Sequence, residues 1–497
     1  MNTPQLDGNG LALVETRTTI PPLANEPPLV VDLDGTLIKS DLIWESLVSF
    51  VKHHSNRLLE LPLWLLRGKA FFKSRLARLV AIAPITLPYD LVLLEHLKAQ
   101  RAQGRRLTLA TGSHNRYAKQ IADHLGIFDT VLGSTSKLNL VGRNKAAVLN
   151  QKYGKGCFDY IGNSKVDTEV WLNSKTAWSV TKRPFTLRDS RKTKWTGSLR
   201  VGWGVALLVA LRPRQWLKNS IVFLPVLAAH NTSIPVLLNA TIALVVFSLC
   251  ASSAYLLNDS LDASHDRVHA TKKFRPIAAG DLPVPLAIGA SIALAGASLT
   301  AAALIDLGLL AVLALYFVTT VLYSTYLKKL AIVDIVSLAI LYSFRLLGGA
   351  AATDVVPSFW LLTFSFFIFL SLAMLKRYSE LFNMRRLGDE KANGRGYRVL
   401  DQEAIGNMGI AAAFTAVLVF LLYFNSPNVL VMYSSPNILL TMTPALVFWL
   451  CRLWLLGFRG EVDEDPVLFV STDRTSLVTM FICLSLLILA SIIPSTV

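Results

Sequence analysis

The sequence predicts a two-part protein: an α/β domain of parallel strands, then an all-helical bundle built to sit in a membrane. Three observations carry this reading. Of the 497 residues 53% are hydrophobic, above the usual share for a soluble protein. The composition changes abruptly near residue 200, with frequent charges before it and long apolar runs after it. The charged part alternates short apolar strands with helical segments, whereas the apolar runs approach the roughly 20 residues a helix needs to cross a bilayer.

Residues 1–27 read as a flexible leader. They hold no apolar run behind a basic start, and Pro21, Pro22, Pro27 and Pro28 interrupt them, so no cleaved signal peptide is expected. Residues 28–182 form the α/β domain, with strands in PLVVDLDGT (28–36), RLTLATGS (106–113) and FDYIGNS (158–164). Between the first two strands, 41–90 read as a helical insertion. Its run LPLWLLRGKAFFKSRLARL (61–79) suits a small cap, with a membrane-surface segment as the competing reading. Residues 183–204 read as a basic linker fitted to an anionic lipid surface.

Residues 205–497 then supply nine expected spans, near 216–230, 236–257, 284–303, 308–326, 331–350, 357–375, 408–425, 436–456 and 476–494. The loops 304–307, 351–356 and 426–435 lack Lys and Arg, whereas 258–283, 327–330, 376–407 and 457–475 are rich in them. By the positive-inside rule the basic set is cytoplasmic, which puts the first domain in the cytoplasm and, with nine spans, the C-terminus outside. The expected location is a bacterial inner membrane. The charge of +16 fits anionic headgroups better than nucleic acid, which is not expected as a partner. Four scattered cysteines suggest neither a disulfide framework nor a zinc site.

The most informative stretch is NDSLDASHDRVHATKKFRP (258–276), between two spans. On a helix Asn258, Asp259, Asp262 and Asp266 fall at about 0, 100, 40 and 80 degrees, on one face, and are expected to converge on one point. Three carboxylates at a span terminus favour a hard cation, and Mg²⁺ takes oxygen ligands and shares its shell with substrate phosphates. Lys272, Lys273 and Arg275 follow and can balance a departing diphosphate. The plain alternative is a solvated charged loop.

These residues resemble the first acidic motif of the UbiA superfamily of membrane prenyltransferases, over roughly 205–495. LRPRQWLKN (211–219), NDSLDASHDRVHATKKFRPIAAG (258–280), YSTYLK (323–328), LAMLKRYSEL (372–381) and DPVLFVSTDR (465–474) resemble the decaprenyl-phosphate phosphoribosyltransferase branch. That resemblance implies a nine-helix UbiA-type bundle, phosphoribosyl diphosphate as donor, a polyprenyl phosphate as acceptor and Mg²⁺ as cofactor. Asp334 stands alone, with Leu338 where a second aspartate would complete the pair of an aromatic prenyltransferase. The phosphoribosyl reading gives Asp334 a sugar hydroxyl or the metal shell, with Tyr323, Lys328 and Arg345 around it. Lys328 reads equally as a flanking residue reaching the headgroups. Lys376, Arg377, Arg385 and Arg386, and Arg212, Arg214, Lys218 and Asn219, are candidate phosphate ligands in positions where topology alone also calls for basic residues. Asp473 and Arg474 suggest an ion pair.

Asp32-Leu33-Asp34-Gly35-Thr36 at the end of an apolar strand resembles the first motif of the haloacid dehalogenase-like phosphatases, over roughly 28–182. The resemblance implies a Rossmann-like α/β fold with a helical cap. It makes Asp32 the nucleophile, Asp34 the general acid and base, and Thr111 the phosphate-binding hydroxyl. Lys145 is the neutralising lysine, with Lys137 as rival. In the fourth motif Asn163 replaces the first acidic residue ahead of Asp167, so Asp32, Asp34, Asn163 and Asp167 would hold Mg²⁺ with one negative charge fewer. An inactive, retained domain is the competing reading. The two parts together suggest phosphoribosyl transfer followed by removal of the 5-phosphate, giving polyprenyl-phosphoryl ribose. The alternatives are a prenyltransferase for an aromatic acceptor, and a transporter or lipid-binding scaffold.

Overall fold

The computed structural model describes residues 26–181, 183–198, 201–231, 233–269, 271–388, 395–423, 433–435, 437–462 and 465–493. The expected leader, all but its last two residues, lies outside them, as do most of the 426–435 loop and the last four residues. The chain forms two compact units. One holds the chain to Gly202 with Ala263–Phe274 and Ala278–Val284; the other holds Trp203–Asp262, Arg275–Ile277 and the chain from Pro285.

The first unit is built on a six-stranded parallel sheet in the order β3-β2-β1-β4-β5-β6. Its strands are β1 (Leu29–Val31), β2 (Leu107–His114), β3 (Thr130–Ser134), β4 (Asp159–Gly162), β5 (Ala177–Ser179) and β6 (Lys194–Trp195). Val31 lies opposite Leu109 on one side and Ile161 on the other, so β1 is central. Alternation along the strands sorts the core. Leu29, Val31, Leu107 and Leu109 pack on one face, and Val30, Ala110, Tyr160 and Trp171 on the other. The chain winds outward from β1 in one direction and returns beside it in the other, which places a crevice at the carboxyl ends of the central strands.

Helices α1 (Leu42–His53), α2 (Glu60–Leu66) and α3 (Lys69–Leu79) form the insertion expected at 41–90, around Phe50, Trp64, Phe72 and Leu76. The sheet is then flanked by α4 (Leu91–Ala102), α5 (Asn115–Leu125), α6 (Arg143–Tyr153) and α7 (Thr168–Asn173). Two residues of α5 fasten the end of α3: Arg116 donates to the Ala77 carbonyl at 3.0 Å and Tyr117 to that of Val80 at 3.0 Å. They satisfy carbonyls a helix end leaves without partners.

Within the expected basic linker at 183–204, Lys194 and Trp195 add β6 to the sheet. The linker's charge has local uses. Arg191 donates to the carbonyls of Trp171, Leu172, Ser174 and Lys175 at the end of α7, where a cation is favoured. Ser198 donates from backbone and hydroxyl to the carboxylate of Asp90, at 3.1 and 2.9 Å.

In the second unit eight helices among the described residues are long and apolar enough to cross a membrane. They begin with α10 (Ile234–Asp266), α11 (Val284–Ile305), α12 (Leu307–Thr325) and α13 (Val333–Thr353), followed by α14 (Phe359–Leu387) and α15 (Gln402–Tyr423), then Met442–Arg459 and Arg474–Ile492. The ninth expected span, 216–230, is not a single helix. The chain there runs as α8 (Trp203–Ala210), a left-handed Arg212 at φ 54°, a 3₁₀ segment Pro213–Phe223 and α9 (Leu224–Ala228). Pro213 and Pro225 donate no backbone hydrogen bond, which favours broken helix. Close packing also holds the segment: a Cβ at Gly349 would stand 2.0 Å from the Val222 carbonyl oxygen. The 33 residues of α10 rise roughly 50 Å, more than the roughly 30 Å hydrocarbon layer, and its acidic side chains fall in its last turns.

Candidate active sites

In the first unit Asp32 and Asp34 follow β1 on the turn that opens the crevice. The Asp34 carboxylate accepts from the Leu42 amide at 2.9 Å, the Thr111 hydroxyl at 2.9 Å and the Ser113 hydroxyl at 2.7 Å. Lys145, buried on α6, donates to Asp32 Oδ1 at 2.7 Å and to the Tyr160 phenol oxygen at 2.8 Å, while Lys137 is exposed. Tyr160 in turn donates to Asp167 Oδ1 at 2.8 Å, and Asp167 Oδ2 accepts the amides of Asn163 and Ser164. Asp167 thus holds the loop after β4. The Asn163 amide lies against the turn, for a Cβ at Gly35, itself at φ 70°, would fall 2.1 Å from its Nδ2.

Negative charge predominates there. Burial, with Asp167 and Asp34 nearby, pushes Asp32 up to about 7 in spite of Lys145. Burial also lifts Asp41 to about 6, with Asp34 adding to the effect. Burial alone would lower Lys145, but Asp32 and Asp167 hold it above its ordinary value. A group of hard oxygen donors short of positive charge fits a divalent cation, with Asp32, Asp34 and the Asn163 amide oxygen as the available donors.

In the second unit Asn258, Asp259 and Asp262 occupy the final turns of α10. Arg212 donates to both oxygens of Asp259, at 2.7 and 2.6 Å, and its guanidinium lies 4.9 Å from the centre of the Tyr255 ring. Arg275 adds a bond to Asp259 Oδ1 at 3.1 Å, and Lys328 meets Asp262 Oδ2 at 2.6 Å. The expected convergence on one metal point is corrected: among the described residues no three Asp, Glu, His or Cys side chains come together to hold an ion. Asp259 and Asp262 close on separate cations instead. The fit to Mg²⁺ is that of one or two carboxylates sharing an ion with substrate phosphate, and Arg212 stands in for a cation on Asp259. Asp266 ends the helix, buried, and falls with the first unit, as do Lys272 and Lys273 on a single 3₁₀ turn.

Asp334 has a separate set of partners. It is fully buried, bound by the Arg377 guanidinium through both oxygens and by the Tyr323 hydroxyl at 2.8 Å, with Arg395 at 3.5 Å. Glu380 closes the network, bound to Arg377 and 2.9 Å from Arg395. Lys218 pairs with Asp465. Arg345 has neutral partners: Asn219 Oδ1 at 2.7 Å, the Leu341 carbonyl at 2.6 Å and the Tyr316 hydroxyl at 3.2 Å. Lys376 is half-buried and its ammonium donates to no described residue, and Arg214, Arg385 and Arg386 are exposed. Asp473 binds Arg452 rather than Arg474, at 2.7 and 3.1 Å, and caps the last helix.

Ser113, Tyr160, Glu380, Arg395 and Asp465 went unpredicted. Ser113 and Asp465 stand inside stretches singled out above, and Glu380 lies one turn from Arg377 on α14, a visible i,i+3 pairing. Arg395 carried no such signal.

Comparison with known proteins agrees with this architecture. The haloacid dehalogenase-like hydrolase profile matches residues 29–170, and that of the UbiA prenyltransferase family matches 220–490. An uncharacterized Sinorhizobium fredii protein, y4nM, is 33% identical over 90% of this chain and 88% of its own length. The nodulation protein NoeC of Azorhizobium caulinodans is 30% identical over 54% of this chain and 88% of its own. The decaprenyl-phosphate phosphoribosyltransferase of Mycolicibacterium smegmatis is 40% identical, over 37% of this chain and 59% of that enzyme. The chain is therefore an integral membrane enzyme that belongs to the UbiA prenyltransferase family, with a haloacid dehalogenase-like hydrolase domain ahead of the membrane bundle.

Proposed function

We propose that the second unit transfers 5-phosphoribosyl from phosphoribosyl diphosphate to a polyprenyl phosphate, and that the first unit removes the 5-phosphate to give polyprenyl-phosphoryl ribose. The observation that carries the transfer reading is the pairing of Asp259 and Asp262 with Arg212, Arg275 and Lys328. Mg²⁺ held by these two carboxylates would neutralise a diphosphate leaving group. The lipid phosphate, already an oxyanion at neutral pH, attacks C1 of the ribose as the C1–O bond to diphosphate breaks. Arg212, Arg275 and Lys328 take up the charge of the departing group. Lys376, without an acceptor among the described residues, is available to a substrate phosphate. Asp334, enclosed by Arg377 and Tyr323, positions those side chains, which speaks against a second metal there and hence against an isoprenoid diphosphate donor.

In the first unit Asp32 attacks phosphorus as the bond to the sugar oxygen breaks and Asp34 protonates the leaving alcohol; water that gives its proton to Asp34 then releases phosphate from the aspartyl-phosphate, with Lys145 steadying the charge. Covalent linkage raises the local concentration of the second activity for the product of the first. Purified full-length protein with Mg²⁺, phosphoribosyl diphosphate and decaprenyl phosphate should yield decaprenyl-phosphoryl ribose by mass spectrometry. Unconsumed phosphoribosyl diphosphate together with turnover of an isoprenoid diphosphate overturns the donor assignment. The membrane around this chain is proposed to be a bacterial inner membrane, with the first unit in the cytoplasm and the C-terminus outside, which requires the broken segment 203–228 to cross together with the eight long helices.

A further inference from the structure

We propose that Lys73, on α3 of the insertion, forms a leaving-group subsite in the first unit that recognises a hydroxyl-bearing alcohol such as a sugar. The inference rests on the phosphomonoesterase reading above. Lys73 is 9% exposed. Its ammonium donates to the Gly112 carbonyl at 2.6 Å and to Asn139 Oδ1 at 2.9 Å, which leaves a third N–H without an acceptor among the described residues.

Its place relative to the acid pair decides what it can read. Lys145 is bound to Asp32, the nucleophile's side of the site. Lys73 is bound to the strand segment whose Thr111 and Ser113 hydroxyls hold Asp34, on either side of Gly112. The group that Asp34 protonates is the oxygen of the departing alcohol, and Lys73, fastened to the residue between Thr111 and Ser113, is the lysine on Asp34's side of the pair. A buried ammonium with an unused donor favours oxygen acceptors and is wasted on an apolar leaving group. Burial lowers the affinity of Lys73 for its proton, while Asp34 and Asp41 favour the charged form.

The test uses full-length protein in detergent with Mg²⁺, assayed on ribose 5-phosphate and on p-nitrophenyl phosphate, whose leaving group carries no hydroxyl neighbours. Lys73→Met should lower kcat/KM for the sugar phosphate about 10- to 100-fold more than for the aryl ester. Lys73→Arg should recover part of that difference. Equal losses on both substrates, or a lowered melting temperature in Lys73→Met without discrimination, would make the residue a fastener of the insertion and overturn the proposal. A wild-type chain inert toward both esters would instead remove the phosphomonoesterase reading itself.

Discussion

Asp32 and Asp259 are both nearly closed to solvent, and opposite surroundings keep them so. In the hydrolase domain the acidic groups lean on neutral donors: Asp34 on an amide and two hydroxyls, Asp167 on two amides and a phenol. Lys145 is the single cation bonded to that set among the described residues. In the membrane bundle Asp259, Asp262, Asp334 and Asp465 each meet at least one Arg or Lys. The first arrangement is fixed by backbone and leaves charge for an incoming cation to balance. The second is balanced already, and at Asp259 and Asp262 by long side chains that can exchange a carboxylate for a phosphate. Rigid preorganisation serves covalent chemistry on a small group, and exchangeable pairing serves capture and release of a highly charged one.

The hardest test of that contrast is Asp32→Asn, which should lower phosphatase turnover by about 10³-fold or more and cause the 5-phosphorylated lipid to accumulate, with phosphoribosyl transfer intact. An unchanged lipid product would break the link between the two activities. Next in size, Arg377→Met should cost about 3–5 kcal/mol by leaving Asp334 buried against a weakened set of partners, read as a lost melting transition in detergent. The double change with Asp334→Leu should recover most of the loss, because exchangeability is not what that pair provides.

A smaller effect follows from the unbalanced charge around Asp32. Its acid form is favoured on folding, so the folded chain binds more protons between about pH 4 and about pH 7. Stability is full below that window and falls as pH rises through it. Metal-free protein should melt earlier at pH 8 than at pH 5, and Asp32→Asn should narrow the gap by an amount on the order of a few kcal/mol. The smallest effect is the most discriminating. Lys328→Met should bind free Mn²⁺ roughly threefold to tenfold more tightly, by electron paramagnetic resonance, because a competing cation has left Asp262. The same variant should bind diphosphate more weakly, and an unaltered Mn²⁺ affinity would mean that Lys328 does not compete for the carboxylate.

What the sequence disclosed follows the range of the forces involved. Asp32 and Asp34 sit two residues apart at the end of an apolar strand, and local alternation was enough to find them. Eight of the membrane helices declared themselves by length and hydropathy. The segment 213–228 did not, because its apolar content was right while two prolines and contact with Gly349 determined its shape. The partners of the acidic groups were hidden for a different reason. Arg212 and Asp259 are 47 residues apart and Lys328 and Asp262 are 66 apart, so only helix packing brings them together. Lys73 looked like one more basic residue in an amphipathic run.

The two residues of β6 carry a practical lesson about where the hydrolase domain ends. Strand β5 has β4 on one side and only Lys194 and Trp195 on the other. A fragment cut at 182, where the haloacid dehalogenase-like pattern fades, would uncover a row of backbone donors and acceptors along β5 and invite strand addition from a second molecule. It would also withdraw Ser198 from Asp90. A soluble fragment for crystallisation should therefore run through Ser198, and its shorter relative should be the one that aggregates.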